Sequence, residues 1–246
     1  MLNHSIIEKS TPLMLLLILL SLGVGGMVQI IPLFKVESTI EPVTGVRAFT
    51  PLEQLGRNIY MREGCYNCHS QQVRPFRDEV DRYGHYSLAA EGVYEFPFLW
   101  GSKRTGPDLA RVGGKYSNEW HAAHLRDPQS VLPESIMPAY AFLERPLDYG
   151  DFDQHMETLR FVGVPYTDEG IAAMDDDILA QALPDLGDSS ALRERYPGAP
   201  LGPFTGPDET ITEMDALIAY LQVLGTMVDF TSFDPETMLQ GQEIGR

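Results

Sequence analysis

The chain has two cysteines, three positions apart, with a histidine directly behind the second: Cys65-Tyr66-Asn67-Cys68-His69. Cys-x-x-Cys-His is the attachment signature of c-type haem, in which both thiols bond covalently to the haem vinyl groups and the histidine binds the iron. The spacing has a physical reason. Thiols three positions apart lie about one helical turn from each other, so both reach one edge of a flat macrocycle. The next residue then swings its imidazole beneath the ring. With no further cysteine in the chain, a four-thiolate zinc site is excluded. A redox dithiol and half of a Cys/His zinc site are the competing readings. A domain organised on such a motif wraps short elements around a cofactor that replaces part of its core, and 18 prolines with 22 glycines agree with much loop.

The second constraint lies upstream. From Ser10 to Phe34 no residue is charged, and Lys9 and Lys35 close the ends. About twenty apolar residues cross a bilayer, and the run from Leu13 to Leu20, continued by Val24, Met27, Val28, Ile30 and Ile31, meets that length. A cleaved signal peptide has a shorter apolar region and a small-x-small cleavage site. Neither is clear here, so the stretch reads as an uncleaved, single-pass anchor. Its flanks are too sparsely charged to orient it. Covalent haem attachment is a task of the outer face in bacteria, so residues 1–9 are expected in the cytoplasm, 10–34 in the inner membrane and the remainder in the periplasm. Gly23, Gly25 and Gly26 let another helix approach closely, and Gln29 seeks an interhelical hydrogen bond.

Charge narrows the partners. The formal net charge of −17 argues against nucleic acid and favours docking to something basic through a salt-sensitive field. Arg57, Arg62, Arg74, Arg77, Arg82, Lys103, Arg104, Arg111 and Lys115 surround the cysteine motif, whereas acidic residues such as Asp175-Asp176-Asp177 crowd the second half. The plainest reading of that half is a solvated surface.

In chain order, residues 35–49 read as a tether, 50–228 as the domain, with an exposed insertion near 175–207, and 229–246 as a weakly ordered tail. Thr50-Pro51-Leu52-Glu53 predicts a helix start, with Thr as N-cap, Pro at the first helical position and Glu closing a capping box. Leu52, Leu55, Gly56, Ile59 and Tyr60 recur at helical spacing, and Gly64 stops the helix just before the cysteines. The aromatic-rich stretch from Gln71 to Trp100 is expected to be mostly loop. Its rings either cover one haem face or form an interface. His85 within it reads as structural. A metal-bound histidine usually gives its free ring N–H to a carbonyl or carboxylate, and the Gly106-Pro107-Asp108-Leu109 turn is suited to offer the Pro107 carbonyl. Ser117 is expected to cap a helix over 118–126 carrying His121 and His124, either of which is an alternative second ligand. Met137, between Pro133 and Pro138, is the better one: a soft thioether stabilises ferrous haem and raises its potential. Met156, Met174 and Met214 read as core. A helix capped by Thr167 is expected to run to about Leu183, and a last one to start near Thr210, with Glu213 closing a second box. Arg74, with Arg77 or Arg104 as alternatives, is the expected partner of the haem propionates.

Several segments carry a more specific resemblance. They are Gly25 to Phe34, Glu63 to Gln72, Arg82 to Ser87, Trp100 to Leu109, Met137 to Tyr140 and Glu213 to Gln222. Together they resemble the membrane-anchored mono-haem subunit (subunit II, the O subunit) of cbb3-type cytochrome c oxidases. The stretch from about Asp175 to Pro207 departs from that pattern by its length. The resemblance implies an all-α protein, one N-terminal transmembrane helix followed by a class I-like cytochrome c domain with long loops. It also implies His69 and Met137 as axial ligands of one covalent haem c. Electrons would come from the di-haem cytochrome c subunit of the same complex or from a soluble cytochrome c. They would leave to the low-spin haem b of the catalytic haem–copper subunit I, which reduces oxygen. The chain itself would carry electrons without a catalytic residue. The mono-haem subunit of a nitric oxide reductase-like complex shares the same one-helix, one-haem plan and is the alternative.

Overall fold

A computed structural model describes residues 4–33, 43–101, 103–206 and 210–230. The end of the expected tail, 231–246, and most of the tether fall outside these. The chain divides into an N-terminal helical unit and a unit beginning at Val43. In the first, α1 (His4–Lys9) precedes α2 (Thr11–Leu33), 23 residues long. At 1.5 Å per residue α2 extends about 35 Å, enough for a hydrocarbon core of roughly 30 Å. It is the one described helix long and apolar enough to cross a membrane.

The second unit is helical throughout, and no β-strand occurs among the described residues. Its centre is the crossing of α3 (Pro51–Arg62) with the last helix. Thr50 caps α3 as expected: the Glu53 amide donates to Thr50 Oγ1 (3.1 Å) and the Thr50 amide to Glu53 Oε2 (2.8 Å). Short helices follow in order: α4 (Arg77–Tyr83), α5 (Asn118–Arg126), α6 (Pro128–Val131), α7 (Phe152–Phe161), α8 (Asp168–Ala172), α9 (Met174–Ala182), α10 (Ser189–Arg195) and α11 (Glu213–Val223). The stretch from 71 to 100 is thus loop interrupted by α4 and a 3₁₀ turn at Ala89–Gly92.

α11 is buried on every side, with Met214, Ala216, Ile218, Ala219 and Tyr220 fully covered. A helix apolar all round is an interior helix, and here its small residues decide where α3 lies. Gly56 meets the Ala216 carbonyl, and any Cβ at Gly56 would also come 2.8 Å from Tyr220 Cβ. The crossing is therefore backbone against backbone.

Three expectations change. The helix foreseen from Thr167 to Leu183 is two, because Ala173 leaves helical geometry at ψ +7° and separates α8 from α9. The stretch foreseen as an exposed insertion is packed: Leu192, Tyr196, Ala199 and Phe204 are buried, and Gln181 bonds Thr50, Glu53 (3.2 Å) and the Pro200 carbonyl (3.0 Å). Its acidic residues alternate with apolar ones that face α3, and a charge count does not reveal that. Finally, α11 is capped by Thr212 with Asp215, two residues beyond the expected pair.

Candidate cofactor site

Gly64 ends α3 at φ +71°, a left-handed conformation that glycine adopts without strain. It turns the chain into one 3₁₀ turn, Cys65–Asn67. The amides of Cys68 and His69 both donate to the Cys65 carbonyl, at 3.1 and 2.9 Å. Both thiols therefore leave a single turn. Cys65 is half-buried against the core, Cys68 is exposed, and neither forms a disulfide. Burial pushes the Cys65 thiol up to about 12.

His69 Nδ1 lies 2.8 Å from the Pro107 carbonyl. An imidazole nitrogen facing a carbonyl must be the donor, so Nε2 keeps the free lone pair. Burial lowers the His69 pKa below its ordinary value and so favours that neutral form. The turn that offers this carbonyl is held by backbone bonds, Gly106 N–H to Cys68 O (3.0 Å) and Leu109 N–H to Ser70 O (2.9 Å). Buried Asp108 braces it by accepting from Ser70 Oγ (2.5 Å) and from the amides of Gln72 and Ala110 (both 2.9 Å). Gly106 is the ring's floor: a Cβ there would lie 2.8 Å from both ring nitrogens. On the other side, Tyr60 OH donates to the His69 carbonyl at 3.3 Å.

Beside this turn is a cavity of about 320 Å³, lined by Arg74, Glu79, Arg82, Arg104, Gly106 and Pro107 among others. Arg104 donates to Ser70 Oγ, the Gln72 carbonyl and Glu79, each at 2.8 Å, and Arg74 also bonds Glu79. Arg104 first, and then Arg74, hold the Glu79 carboxyl down to about 2. Arg77 is 95% exposed and reaches only Asp81 at 3.6 Å. The expected cations therefore separate: Arg74 and Arg104 border the Pro107 turn, and Arg77 does not.

Met137 is half-buried against the core, its amide donating to Ser135 Oγ at 3.2 Å. Three residues on, the Tyr140 amide donates to the Leu125 carbonyl of α5 at 2.8 Å. Burial, and then the charges of Cys65 and Cys68, raise the Tyr140 phenol above its ordinary value, and Met137, Tyr140 and Cys65 all pack against the same core. Met156, Met174 and Met214 are buried in the core. His85 is held through Nδ1 at the Tyr86 carbonyl (2.8 Å). Phe96, Phe98 and Trp100 are exposed, with Phe98 stacked on Trp100 at 4.9 Å.

The donor set fits a c-type haem: two thiols on one turn, an imidazole with its outer nitrogen free, and a thioether packed against the same core as the turn. The chain matches the family described as cytochrome c oxidase, mono-heme subunit/FixO over residues 4–228. It belongs to that family. No curated protein matches the sequence. As a member of the FixO family it is a mono-haem subunit of an oxidase complex, and so works with other oxidase subunits. Gly106 and Asp108 lie in the turn read from the sequence and Tyr60 on the α3 stripe, but the parts they play, as the floor of the ring, the brace of the turn and the anchor of the His69 backbone, were not legible there.

Proposed function

We propose that Cys65 and Cys68 would hold one haem c through two thioether bonds, with His69 and Met137 as the residues that would ligate its iron. The chain then relays single electrons within a cbb3-type terminal oxidase. The observation that carries this is the His69 imidazole, oriented by Pro107 on the same turn as both thiols, in a chain of the FixO family. When bound, the haem supplies a one-electron ferric/ferrous couple. The Pro107 carbonyl fixes the ring's tautomer and raises its basicity as a donor. Gly106 leaves room for the ring, and Tyr60 anchors the backbone carrying it. Met137 presents a soft donor that favours the reduced state and so a high potential. Arg74, more than half exposed beyond its bond to Glu79, serves as a propionate partner together with Arg104.

Residues 1–9 lie in the cytoplasm, 10–34 span the bacterial inner membrane, and 50–228 form the periplasmic domain. Electrons enter from a di-haem subunit or a soluble cytochrome c and leave to haem b of the haem–copper subunit. Gentle detergent extraction followed by haem staining of this band and identification of its companions tests the proposal. A stained band with a copper-containing catalytic subunit is expected. An iron-only catalytic partner would favour the nitric oxide reductase-like alternative, and a colourless band with free thiols would refute the haem.

A further inference from the structure

Glu79 is a buried carboxylate on α4, outside the cysteine motif. Its side chain is 4% exposed, yet it lines the same cavity as Gly106 and Pro107, the residues that floor and orient the His69 ring. Burying a charge costs free energy unless close partners offset it. Glu79 has two. Arg104 donates to Oε2 at 2.8 Å, and Arg74 donates to Oε1 through its guanidinium and to Oε2 through its backbone amide (2.9 Å).

Arg104 links this carboxylate to the His69 turn by direct contacts. Its Nε donates to the hydroxyl of Ser70, the residue after His69, at 2.8 Å, and its guanidinium meets Asp108 Oδ2 at 3.4 Å. The Tyr83 ring lies against the same guanidinium at 5.0 Å, with Arg82 at 5.1 Å from that ring. Arg104 is therefore fixed from several sides. Without Glu79, the two cations Arg74 and Arg104 would face only Asp108. With Glu79 the four charges balance, and Asp78 and Arg82, also in the lining, offset each other. Glu79 thus decides the sign of the field beside His69. It stays ionised at neutral pH, because Arg104 first and then Arg74 hold its carboxyl down to about 2.

We propose that Glu79 is a positioning residue for electron transfer: by cancelling one charge of the Arg74–Arg104 pair, it holds the haem potential below the value those arginines would otherwise set. This rests on His69 and Met137 ligating a haem whose propionates meet Arg74 and Arg104. Ferric haem carries one positive charge more than ferrous haem. An anion held nearby therefore favours the oxidised state, and a cation the reduced one. Because Glu79 is buried, bulk salt screens it far less than a surface carboxylate.

The test is a redox titration of the haem-loaded full chain in detergent at neutral pH, followed by haem absorbance. Glu79→Gln keeps the side chain's shape and removes its charge. At a fixed applied potential it should lower the ferric-to-ferrous ratio about tenfold, a rise of about 59 mV in midpoint. Glu79→Asp, which keeps the charge, should recover most of that shift, and adding Arg104→Gln to Glu79→Gln should cancel most of it. Asp81→Asn removes the same charge from a 71% exposed position on α4 and should move the midpoint far less. A Glu79→Gln midpoint equal to that of the wild type or of Asp81→Asn overturns the role and leaves the haem and its ligands standing. A chain with no one-electron couple, or a Met137→Leu variant that keeps the thioether band, refutes the ligation on which the role rests. If Glu79→Gln does not accumulate, Arg104→Gln is compared with the double variant, where both charges are gone. The double variant should have the higher midpoint, and equal midpoints overturn the proposal.

Discussion

Gly106→Ala is the substitution that most directly probes how His69 is positioned. Gly106 does not have a left-handed φ, so alanine strains no backbone and the effect is steric alone. The new Cβ would lie 2.8 Å from both nitrogens of a ring that cannot retreat, because Nδ1 is bonded to Pro107 on the same turn. Overpacking a tight site costs about 1–3 kcal/mol. Loosening the Nδ1–Pro107 bond adds about 1 kcal/mol. Together they predict a loss of about 2–4 kcal/mol. With a urea slope of about 2 kcal/mol/M for a domain of this size, the midpoint should fall by about 1–2 M. The assay is urea unfolding of the haem-loaded chain followed by haem absorbance. Gly150→Ala is the control, since a Cβ there comes no nearer than 3.9 Å to Asp148 Oδ1. If Gly106→Ala unfolds within about 0.3 M of Gly150→Ala, with an unchanged spectrum, Gly106 is not the floor of the His69 ring.

Three further outcomes are expected. Glu79, held down to about 2 by Arg104 and Arg74, contributes stability that is complete above its ordinary value of 4.5 and is lost as pH falls towards 2. The wild-type thermal midpoint should therefore drop across that window. Glu79→Gln should be less stable at neutral pH and flatter below it, and parallel curves would contradict the pairing. In the haem-free chain, iodoacetamide should label exposed Cys68 well before Cys65. A thiol titrating near 12 is thiolate only about one part in ten thousand at pH 8, and equal labelling by peptide mass would refute the burial of Cys65. Thr212→Ala should remove the cap of α11 and cost about 1 kcal/mol, a fall of about 2–4 °C in Tm. Thr210→Ala should do nothing comparable, and the reverse result would restore the expected start.

What the sequence disclosed was local. Thr50 with Glu53, Pro51 at the first helical position and Gly64 at the end write α3 within a dozen residues. The Cys65–His69 turn and the Gly106-Pro107 turn are equally self-contained. What stayed hidden depends on distant partners. Thr210/Glu213 and Thr212/Asp215 match the capping pattern equally well. The second pair is used because Arg62 (2.6 Å) and Arg145 (2.8 Å) occupy Glu213, while Leu147 N–H to Ile211 O (2.9 Å) sets the register. Likewise the bonds from Gln181 to Thr50 and Glu53 reach back about 130 residues, so a run of aspartates looked like solvent-facing insertion when its other face covers α3. The break at Ala173 carries no proline or glycine to announce it.

The two sides of the candidate site are held very differently, and this decides where ligation can change. Around His69, the Pro107 carbonyl, the Gly106 and Leu109 backbone bonds, the Asp108 brace and the Tyr60 hydroxyl fix one ring from several directions. A motion there must break several bonds together. The Met137 segment is held by the Tyr140–Leu125 bond, by Ser135, whose carbonyl accepts from Gln129 (3.1 Å) and whose amide donates to the Leu132 carbonyl (2.9 Å), and by partial burial, while Ile136 beside it is 80% exposed. Regions with few buried contacts open at lower free energy. The Met137 segment is therefore the one that opens first, and on the proposed ligation a loss of a ligand should begin at Met137 and leave His69 in place.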